Sequence, residues 1–350
     1  MSIVFVLAAH LVGTRGFPLT ANSTNVLALG ELGVHVFFVI SGFLITRLLL
    51  EEVARTGKIS LGDFYFRRTM RIFPAYYVFL AVLAVLATYG FVQLAPGDMT
   101  HALTYTSNYD SARSWFIGHT WSLSVEEQFY LLWPALLVVA GRRRALRFAL
   151  ITVAAVPLIR LGSWELLRAS SDGIGHRFET VADAIAIGCV LAGTRDWLHQ
   201  QPLYRRLLES PWFVVMPCLA VAGSLLYDHP VAHFLIGMSV MNVAIAAILD
   251  WCVMFESGRV GRVLNWAPIA FLGTMSYSLY LWQQLFLDRT SDAWPAAFPV
   301  NLALAFLAAL ASYRLIEQPT LRLRRRLEMV WRRPVADARD AWVTRTSAVR

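Results

Sequence analysis

The chain has 350 residues, of which 57% are hydrophobic and 15% charged, and its mean hydropathy is +0.54. Its apolar residues form long blocks rather than short alternating segments, a pattern typical of a helical membrane protein and not of a β-barrel or a soluble domain. The formal net charge of +8 comes almost entirely from arginine, since Lys58 is the only lysine. In so hydrophobic a chain this excess indicates cytoplasmic loops rather than a nucleic-acid partner.

Nine apolar blocks are long enough to cross a bilayer as helices. They cover residues 29–50, 74–94, 121–140, 146–164, 179–193, 212–227, 233–255, 267–287 and 296–315. A shorter block, residues 3–13, precedes them. At about 1.5 Å per residue it is too short to cross a hydrocarbon core of roughly 30 Å.

Basic residues predict how these blocks are oriented. If the chain starts in the cytoplasm, the basic clusters within residues 55–71, 142–147, 195–206, 259–262 and 322–326 all fall on one side. The positive-inside rule then places both termini in the cytoplasm, provided that the short block 3–13 also crosses. The sequence therefore predicts an all-α, polytopic bundle of about ten transmembrane helices, with a first helix truncated at its N-terminus. We expect residues 1–320 to form the membrane domain and residues 321–350 a basic cytoplasmic tail.

Several other features are not indicated by the sequence. Residues 1–20 have neither the basic start nor the cleavage site of a signal peptide. The three cysteines, Cys189, Cys218 and Cys252, each lie inside an apolar block, which argues against a disulfide framework or a metal site. No residue pattern specifies an oligomeric state. We therefore expect a multi-pass membrane protein, in contact with lipid, that holds no metal.

Ionisable and small polar residues interrupt the first two apolar blocks. His10 lies where a structural residue would usually be Leu or Ala, and an ionisable group at membrane depth is a functional candidate by default. A hydrogen-bonded core histidine is an equally weighted alternative. The next block, GVHVFFVISGFLITRLLL, carries His35, Ser41 and Gly42. The Ser-Gly pair favours close helix packing, while His35 is a candidate for lining a cavity.

The stretch FYFRRTMRIFPAYY places a basic cluster at a membrane boundary. Arg68 and Arg71 are three residues apart, so on a helix they share a face and can grip one anionic group. Anchoring to anionic lipid is the simpler explanation of these arginines when they are considered alone.

The stretch HTWSLSVEEQFYLLWP brings two adjacent carboxylates, Glu126 and Glu127, into an apolar run. On a helix they point about 100° apart, so we expect one to work in a cavity and the other to be solvated or hydrogen-bonded. Tyr130 lies four residues after Glu126 and shares its face. Further along, GTMSYSLYLWQQLF places Tyr280 and Gln283 on one stripe of an apolar helix, as expected of a lined cavity.

Two functions use this set of residues. An intramembrane His and Glu, with Arg at the cytoplasmic mouth, would suit an enzyme that binds a phosphorylated donor and deprotonates an acceptor hydroxyl. A proton-coupled transporter or flippase of a glycolipid or acylated small molecule would use the same residue types. We find no paired Gly- or Pro-broken helices of the kind that transporter repeats show.

In their order along the chain these motifs resemble the acyltransferase-3 family of integral membrane acyltransferases. The resemblance covers nearly the whole chain and is carried by GVHVFFVISGFLIT, FRRTMRIFPAYY, WSLSVEEQFYLLWP, LGTMSYSLYLWQ and SYRLIEQP. It implies about ten helices in a bacterial inner membrane. It also implies transfer of an acyl group, with acetyl as the expected group, from acyl-coenzyme A to a hydroxyl of a carbohydrate or glycosylated acceptor.

The resemblance also implies roles for individual residues. His10 matches the family's essential first-helix histidine, Arg68 and Arg71 match its RxxR pair, and Glu126 matches the glutamate of its WSLSVE motif. We expect His10 to act as the general base, with Glu126 orienting it or sharing its proton. Arg68 and Arg71 would bind the phosphates of coenzyme A.

Further residues are expected to line the substrate pocket, and these are His35, Ser41, Tyr130, Tyr280 and Gln283. Two departures from the family pattern stand out. The basic residue that family members usually carry well upstream of the first-helix histidine is absent. Either the start codon was assigned downstream of the true one, or this protein is impaired in activity. Gln283 stands where the family usually has a histidine, so it can form hydrogen bonds but cannot titrate.

Overall fold

The computed structural model describes residues 2–19, 24–166, 171–226 and 229–331, and within these ranges it contains helices and turns but no strand. The α-helices in chain order are α1 (Ser2–Leu11), α2 (Thr24–Thr56), α3 (Leu61–Thr88), α4 (Asp98–Leu103), α5 (Trp115–Gly118), α6 (Thr120–Glu165), α7 (Ser171–His176), α8 (Phe178–Leu198), α9 (Pro202–Glu209), α10 (Val215–Leu225), α11 (Pro230–Ala232), α12 (Met238–Met254), α13 (Arg259–Leu264), α14 (Ala267–Thr274), α15 (Ser276–Phe286), α16 (Val300–Ser312) and α17 (Gln318–Trp331). Short 3₁₀ segments cover Ser107–Tyr109, Pro211–Val214 and Trp294–Ala296, and π-helical turns cover His233–Gly237 and Tyr313–Glu317.

The all-α, membrane-embedded architecture predicted from the sequence is confirmed. Five helical segments of the described residues are long and apolar enough to cross a membrane, or six if the bent pair Pro202–Glu209 and Pro211–Leu225 counts as one span. Of the nine long blocks of the sequence, two share one of these segments and block 267–287 is broken into shorter helices. The end of the expected block 212–227 lies outside the described residues.

One break in the backbone separates two expected blocks, and another divides a single expected block. The expected blocks 121–140 and 146–164 both lie in α6, which turns at Gly141, where φ is 75° and ψ is 160°. This positive φ is readily adopted by glycine and rarely by other residues. The expected block 267–287 is divided at Met275 into α14 and α15. An apolar block therefore marks membrane-depth residues without marking one straight helix.

The third helix begins well before the apolar block that predicted it. Ser60 caps α3, its hydroxyl accepting a hydrogen bond from the backbone N–H of Asp63 at 3.4 Å. Arg68 and Arg71 consequently lie inside a continuous helix that runs through Pro74. The expected helical spacing of these two arginines is confirmed.

The centre of the bundle is the packing of α2 against α8, with α6 and α1 on either side. Small residues permit this contact. A Cβ added at Gly42 would lie 2.0 Å from the carbonyl oxygen of Ile185, and one added at Gly188 would lie 2.1 Å from that of Val39. No side chain fits at either distance, so the close approach of α2 and α8 requires glycine at both positions.

The last described helix crosses the boundary that the sequence suggested between membrane domain and tail. α17 runs from Gln318 to Trp331 and packs against α3. The expected boundary at residue 320 falls inside this helix. The remainder of the expected tail, residues 332–350, lies outside the described residues.

Candidate active site

Two large cavities open at opposite ends of α2. Gly30, Glu31 and Val34 line one of them, and the stretch from Leu48 to Thr56 lines the other. Val34 and Leu48 are separated by about 20 Å along the helix axis at 1.5 Å per residue. This separation is a large part of a hydrocarbon core of roughly 30 Å, so the cavities lie toward the two faces of a membrane.

The first cavity, here called the arginine cavity, has a volume of about 730 Å³ and lies between α2, α3 and α17. It is lined by six cationic and three acidic side chains, namely Arg55, Lys58, Arg67, Arg68, Arg71, Arg324, Glu52, Asp63 and Glu328. Arg67 is paired with Glu52 at 3.5 Å, and Arg324 with Glu328 at 3.6 Å. Arg71 forms no ion pair within the described part of the chain. The excess of positive charge suits a ligand that carries several phosphate charges.

Glu126 lies at the inner end of this basic region. Its carboxylate accepts hydrogen bonds from the hydroxyl of Ser41 and from that of Tyr130, the latter at 2.9 Å. The guanidinium of Arg68 stands over the Tyr130 ring, 4.9 Å from its centroid. The predicted placement of Glu126 and Tyr130 on one helical face is therefore confirmed. Glu127 is half-buried, and its Oε1 has no hydrogen-bond partner among the described residues.

The second cavity, here called the histidine cavity, has a volume of about 560 Å³. Four histidines line it, together with charged, aromatic and amide side chains: His10, His119, His176, His233, Glu31, Arg113, Trp115, Trp121, Tyr280 and Gln284. These residues come from α1, α2, the start of α6, α15 and the connecting segments. Two tryptophans beside hydrogen-bonding groups form a surface on which an apolar ring face can pack while its polar substituents are bonded.

His10 is held on two sides within the histidine cavity. Its Nδ1 lies 2.7 Å from Oε1 of Gln283, and the Trp115 ring packs edge-on against the imidazole with the centroids 5.3 Å apart. The guanidinium of Arg289 lies 5.7 Å from the Trp115 centroid and donates a hydrogen bond to the carbonyl of Ala9. Burial lowers the pKa of Arg289. The hydrogen bond with Gln283 and the edge-on contact with Trp115 thus fix the orientation of the His10 ring.

His119 is held in a similar way, by Gln284, which follows Gln283 in α15. The sequence interpretation did not select His119. Oε1 of Gln284 lies 2.8 Å from the backbone nitrogen of His119 and 2.5 Å from its Nδ1. Tyr280 donates to the carbonyl of His119 at 3.0 Å and lies 2.5 Å from the hydroxyl of Ser122. The criterion that selected His10, an ionisable group beside an apolar run, applies equally to His119.

Two tyrosines line a small interior cavity beside the histidine cavity. Tyr280 lines both the histidine cavity and a small cavity of about 30 Å³ among α1, α2, α6 and α15. Tyr277 lines the same small cavity and donates a hydrogen bond to the carbonyl of Ile72 at 2.9 Å. Ile72 follows Arg71 of the arginine cavity. These two tyrosines therefore form a narrow, tyrosine-lined region between the histidine cavity and Ile72 of α3.

The expected site residues are distributed over separate parts of the bundle. His10 and Tyr280 line the histidine cavity, Arg68 and Arg71 line the arginine cavity, and Ser41 and Tyr130 surround Glu126. Gln283 is buried behind His10. His35 is buried beside Asn242, its Nδ1 lying 2.7 Å from the amide oxygen, and 3.8 Å from Glu31.

The predicted sharing of a proton between His10 and Glu126 is not a direct contact. His10 bonds to Gln283, whereas Glu126 bonds to Ser41 and Tyr130. Along α6, Glu126 lies about 10 Å beyond His119, which belongs to the histidine cavity with His10. The sequence interpretation placed both residues in one cavity, whereas His10 lines the histidine cavity and Glu126 lines neither of the two cavities.

The fold and the two cavities define a polytopic membrane protein with ionisable side chains arranged in its interior, as in a membrane-embedded enzyme. Comparison with protein families then identifies the group. The chain belongs to the acyltransferase-3 family, whose profile, described as an acyltransferase domain, matches residues 1–314.

Curated bacterial proteins match the same region. The chain is 25% identical over 324 residues to a peptidoglycan O-acetyltransferase, OatA, of Listeria monocytogenes, covering 83% of this chain and 51% of that protein. It is 29% identical over 323 residues to an O-acetyltransferase, also named OatA, of Staphylococcus aureus, covering 83% of this chain and 52% of that protein. The chain thus spans about half the length of these relatives. No solved structure matches it.

Proposed function

We propose that this protein transfers an acyl group, acetyl above all, from acyl-coenzyme A to a hydroxyl of a cell-envelope carbohydrate. The observation that supports this most strongly is the orientation of His10. Its Nδ1 is occupied by Gln283 and its ring belongs to the wall of a cavity that also carries two tryptophans. The family profile and the O-acetyltransferases that the chain resembles support the same reaction class.

The arginine cavity is the proposed donor site. Its excess of three positive charges would attract the phosphate groups of acyl-coenzyme A, with Arg68 and Arg71 as the principal contacts. Arg71 is exposed and unpaired in the described residues, so its guanidinium is available to a ligand. Arg68 is stacked on Tyr130 and is thereby held at the inner end of the cavity. The thioester would extend from there toward the tyrosine-lined region.

The histidine cavity is the proposed acceptor site. A sugar ring could pack an apolar face against Trp115 or Trp121 and present one hydroxyl to His10. His10 would remove the hydroxyl proton as the oxygen attacks the thioester carbonyl. A carbon–oxygen bond forms, the carbon–sulfur bond breaks, and the thiolate of coenzyme A regains a proton. Because the named relatives are O-acetyltransferases and one acts on peptidoglycan, we propose a peptidoglycan-type glycan as the acceptor.

Glu126 is proposed to serve the donor side of this reaction. It accepts from Tyr130, whose ring supports the guanidinium of Arg68. A carboxylate in this position partly balances the arginines and fixes the tyrosine. Glu126 would therefore act on donor placement through Tyr130 and Arg68, and not through a direct bond to His10.

We propose that the protein resides in a bacterial inner membrane with about ten crossings and both termini in the cytoplasm. Loop charges support this orientation, because the basic clusters then share the cytoplasmic side. The arginine cavity contains the cluster at residues 55–71 and would face the cytoplasm, where acyl-coenzyme A is made. The histidine cavity would face outward, toward the cell envelope.

Transfer of radiolabelled acetyl from acetyl-coenzyme A to glycan fragments by the purified protein tests this function. His10→Ala should abolish transfer while leaving membrane insertion intact. His101→Ala is the matched control, because His101 lies in α4 outside both cavities and bonds to Thr106 at 2.9 Å. Normal transfer by the His10 variant would remove His10 from the mechanism, and inactivity of the wild type with every glycan and acyl donor would contradict the proposed reaction.

A further inference from the structure

Within the described residues, the side chain of Gln283 forms one hydrogen bond, and its partner is His10. Gln283 is fully buried on α15 and does not belong to the wall of the histidine cavity. Its Oε1 lies 2.7 Å from Nδ1 of His10, across 273 positions in the sequence. Its amide nitrogen is buried without a hydrogen-bond partner in the described ranges. Burying an amide with one unsatisfied group is unfavourable. The bond to His10 is therefore the function that we assign to a glutamine at this position.

This contact determines which nitrogen of His10 can accept a proton. An amide oxygen only accepts hydrogen bonds, so Nδ1 must carry the hydrogen that lies between the two atoms. The other ring nitrogen, Nε2, then has the free lone pair. The adjacent Gln284 makes the same kind of contact with His119, and a second hydrogen bond fixes which of its amide atoms faces the histidine. Its Oε1 faces the backbone N–H of His119, which can only donate, and also meets Nδ1 of that histidine.

We propose that Gln283 is a positioning residue that holds His10 as the Nδ1–H tautomer and thereby makes Nε2 the base that meets the acceptor hydroxyl. This inference rests on the proposed role of His10 in acyl transfer. Because the amide is uncharged, it orients the ring without stabilising the imidazolium form, in contrast to a carboxylate partner. Arg289 is a neighbouring cation, and its positive charge disfavours protonation of His10 to the imidazolium. His10 is therefore kept neutral until the acceptor supplies its proton.

Removal of the amide is the first test. In Gln283→Ala the Nδ1 proton loses its acceptor, so Nε2 is no longer the fixed basic nitrogen and the ring is freer to turn. We expect kcat to fall by roughly tenfold or more, the equivalent of losing one buried hydrogen bond. KM for acetyl-coenzyme A and for the glycan should remain within about twofold. Wild-type kcat in this variant would overturn the proposal.

Replacement of Gln283 by a carboxylate should change the pH–rate profile, which would not change if Gln283 served only to stabilise the fold. Gln283→Glu retains an acceptor for Nδ1–H, so activity should be rescued relative to Gln283→Ala at high pH. The added negative charge stabilises the imidazolium, so the acid limb of the pH–rate profile should shift upward by roughly 1–3 pH units. Gln284→Glu, which adds the same charge beside His119, should shift it less. Equal midpoints in Gln283→Glu and the wild type would overturn the proposal.

His10→Ala, measured alongside, separates the two levels of inference. If that variant is inactive while both Gln283 variants behave as the wild type does, the positioning role fails and the proposed function stands. If it retains full activity, His10 is not the base and the proposed mechanism fails together with the role of Gln283. Thermal melting of each purified variant identifies any loss of activity that comes from unfolding.

Discussion

Removing Arg71 should weaken donor binding without destabilising the protein. Arg71 lines the arginine cavity, is exposed, and forms no ion pair within the described residues, so no ion pair between described residues is lost when it is removed. A charge-assisted hydrogen bond contributes about 1.5–3 kcal/mol, and each 1.4 kcal/mol changes an equilibrium constant about tenfold. Arg71→Ala should therefore raise the Kd for acetyl-coenzyme A by roughly 10- to 100-fold.

Arg68→Ala should weaken donor binding to a similar degree but should also lower the thermal stability. Its guanidinium stacks on the rings of Tyr130 and Phe64, at 4.9 and 5.8 Å from their centroids. A partly buried cation–π contact of this kind is worth about 0.5–2 kcal/mol. The difference between the two variants in melting temperature therefore separates the structural contribution of Arg68 from its contribution to the donor site.

Titration of the detergent-solubilised protein with acetyl-coenzyme A measures both effects, and Arg47→Ala is the matched control. Arg47 is an exposed arginine of α2 that pairs with Glu51 at 2.7 Å and does not line the cavity. Its removal should leave the Kd within about twofold. Raised salt should weaken donor binding to the wild type more than to Arg71→Ala. An unchanged Kd in both Arg68→Ala and Arg71→Ala would refute the assignment of the arginine cavity to the donor.

Three further outcomes follow from the packing and the cavities. Gly188→Ala should destabilise the protein by about 1–3 kcal/mol, because the added Cβ would lie 2.1 Å from a backbone carbonyl oxygen of α2. In the control Gly62→Ala the added Cβ has no atom within 4 Å, so the melting temperature should not change. Equal melting temperatures for the two variants would contradict this. Glu126→Gln should raise KM for acetyl-coenzyme A by roughly tenfold, because a neutral amide no longer balances the charge of Arg68, and an unchanged KM would remove this carboxylate from the donor site. Arg324→Ala should raise KM for acetyl-coenzyme A while exposed Arg326→Ala does not, and equal values would exclude α17 from the donor site.

Local spacing in the sequence predicted the contacts within single helices. Tyr130 bonds to Glu126 because residues four apart share a helical face, and Arg68 and Arg71 line one cavity because they are three apart. The Ser-Gly pair at residues 41–42 predicted close packing, and the contact of α2 with α8 confirms it. Each of these predictions needed only the period of a helix and the size of a side chain.

Contacts between distant segments could not be predicted from the sequence alone. The bond between His10 and Gln283 spans 273 positions, and no periodicity brings α1 beside α15. The separation of His10 from Glu126 likewise depends on how far each helix is shifted along its axis. The breaks at Gly141 and Met275 were likewise not predicted, because they depend on local backbone geometry within apolar runs.

The most direct test of the two-cavity mechanism is the sidedness of acyl transfer. Right-side-out membrane vesicles would be loaded with radiolabelled acetyl-coenzyme A and incubated with glycan fragments added outside, using the wild type and His10→Ala. If the arginine cavity binds the donor inside and the histidine cavity binds the acceptor outside, label should appear on the external glycan only with the wild type. Label that reaches the glycan only when donor and acceptor share one compartment would contradict the mechanism.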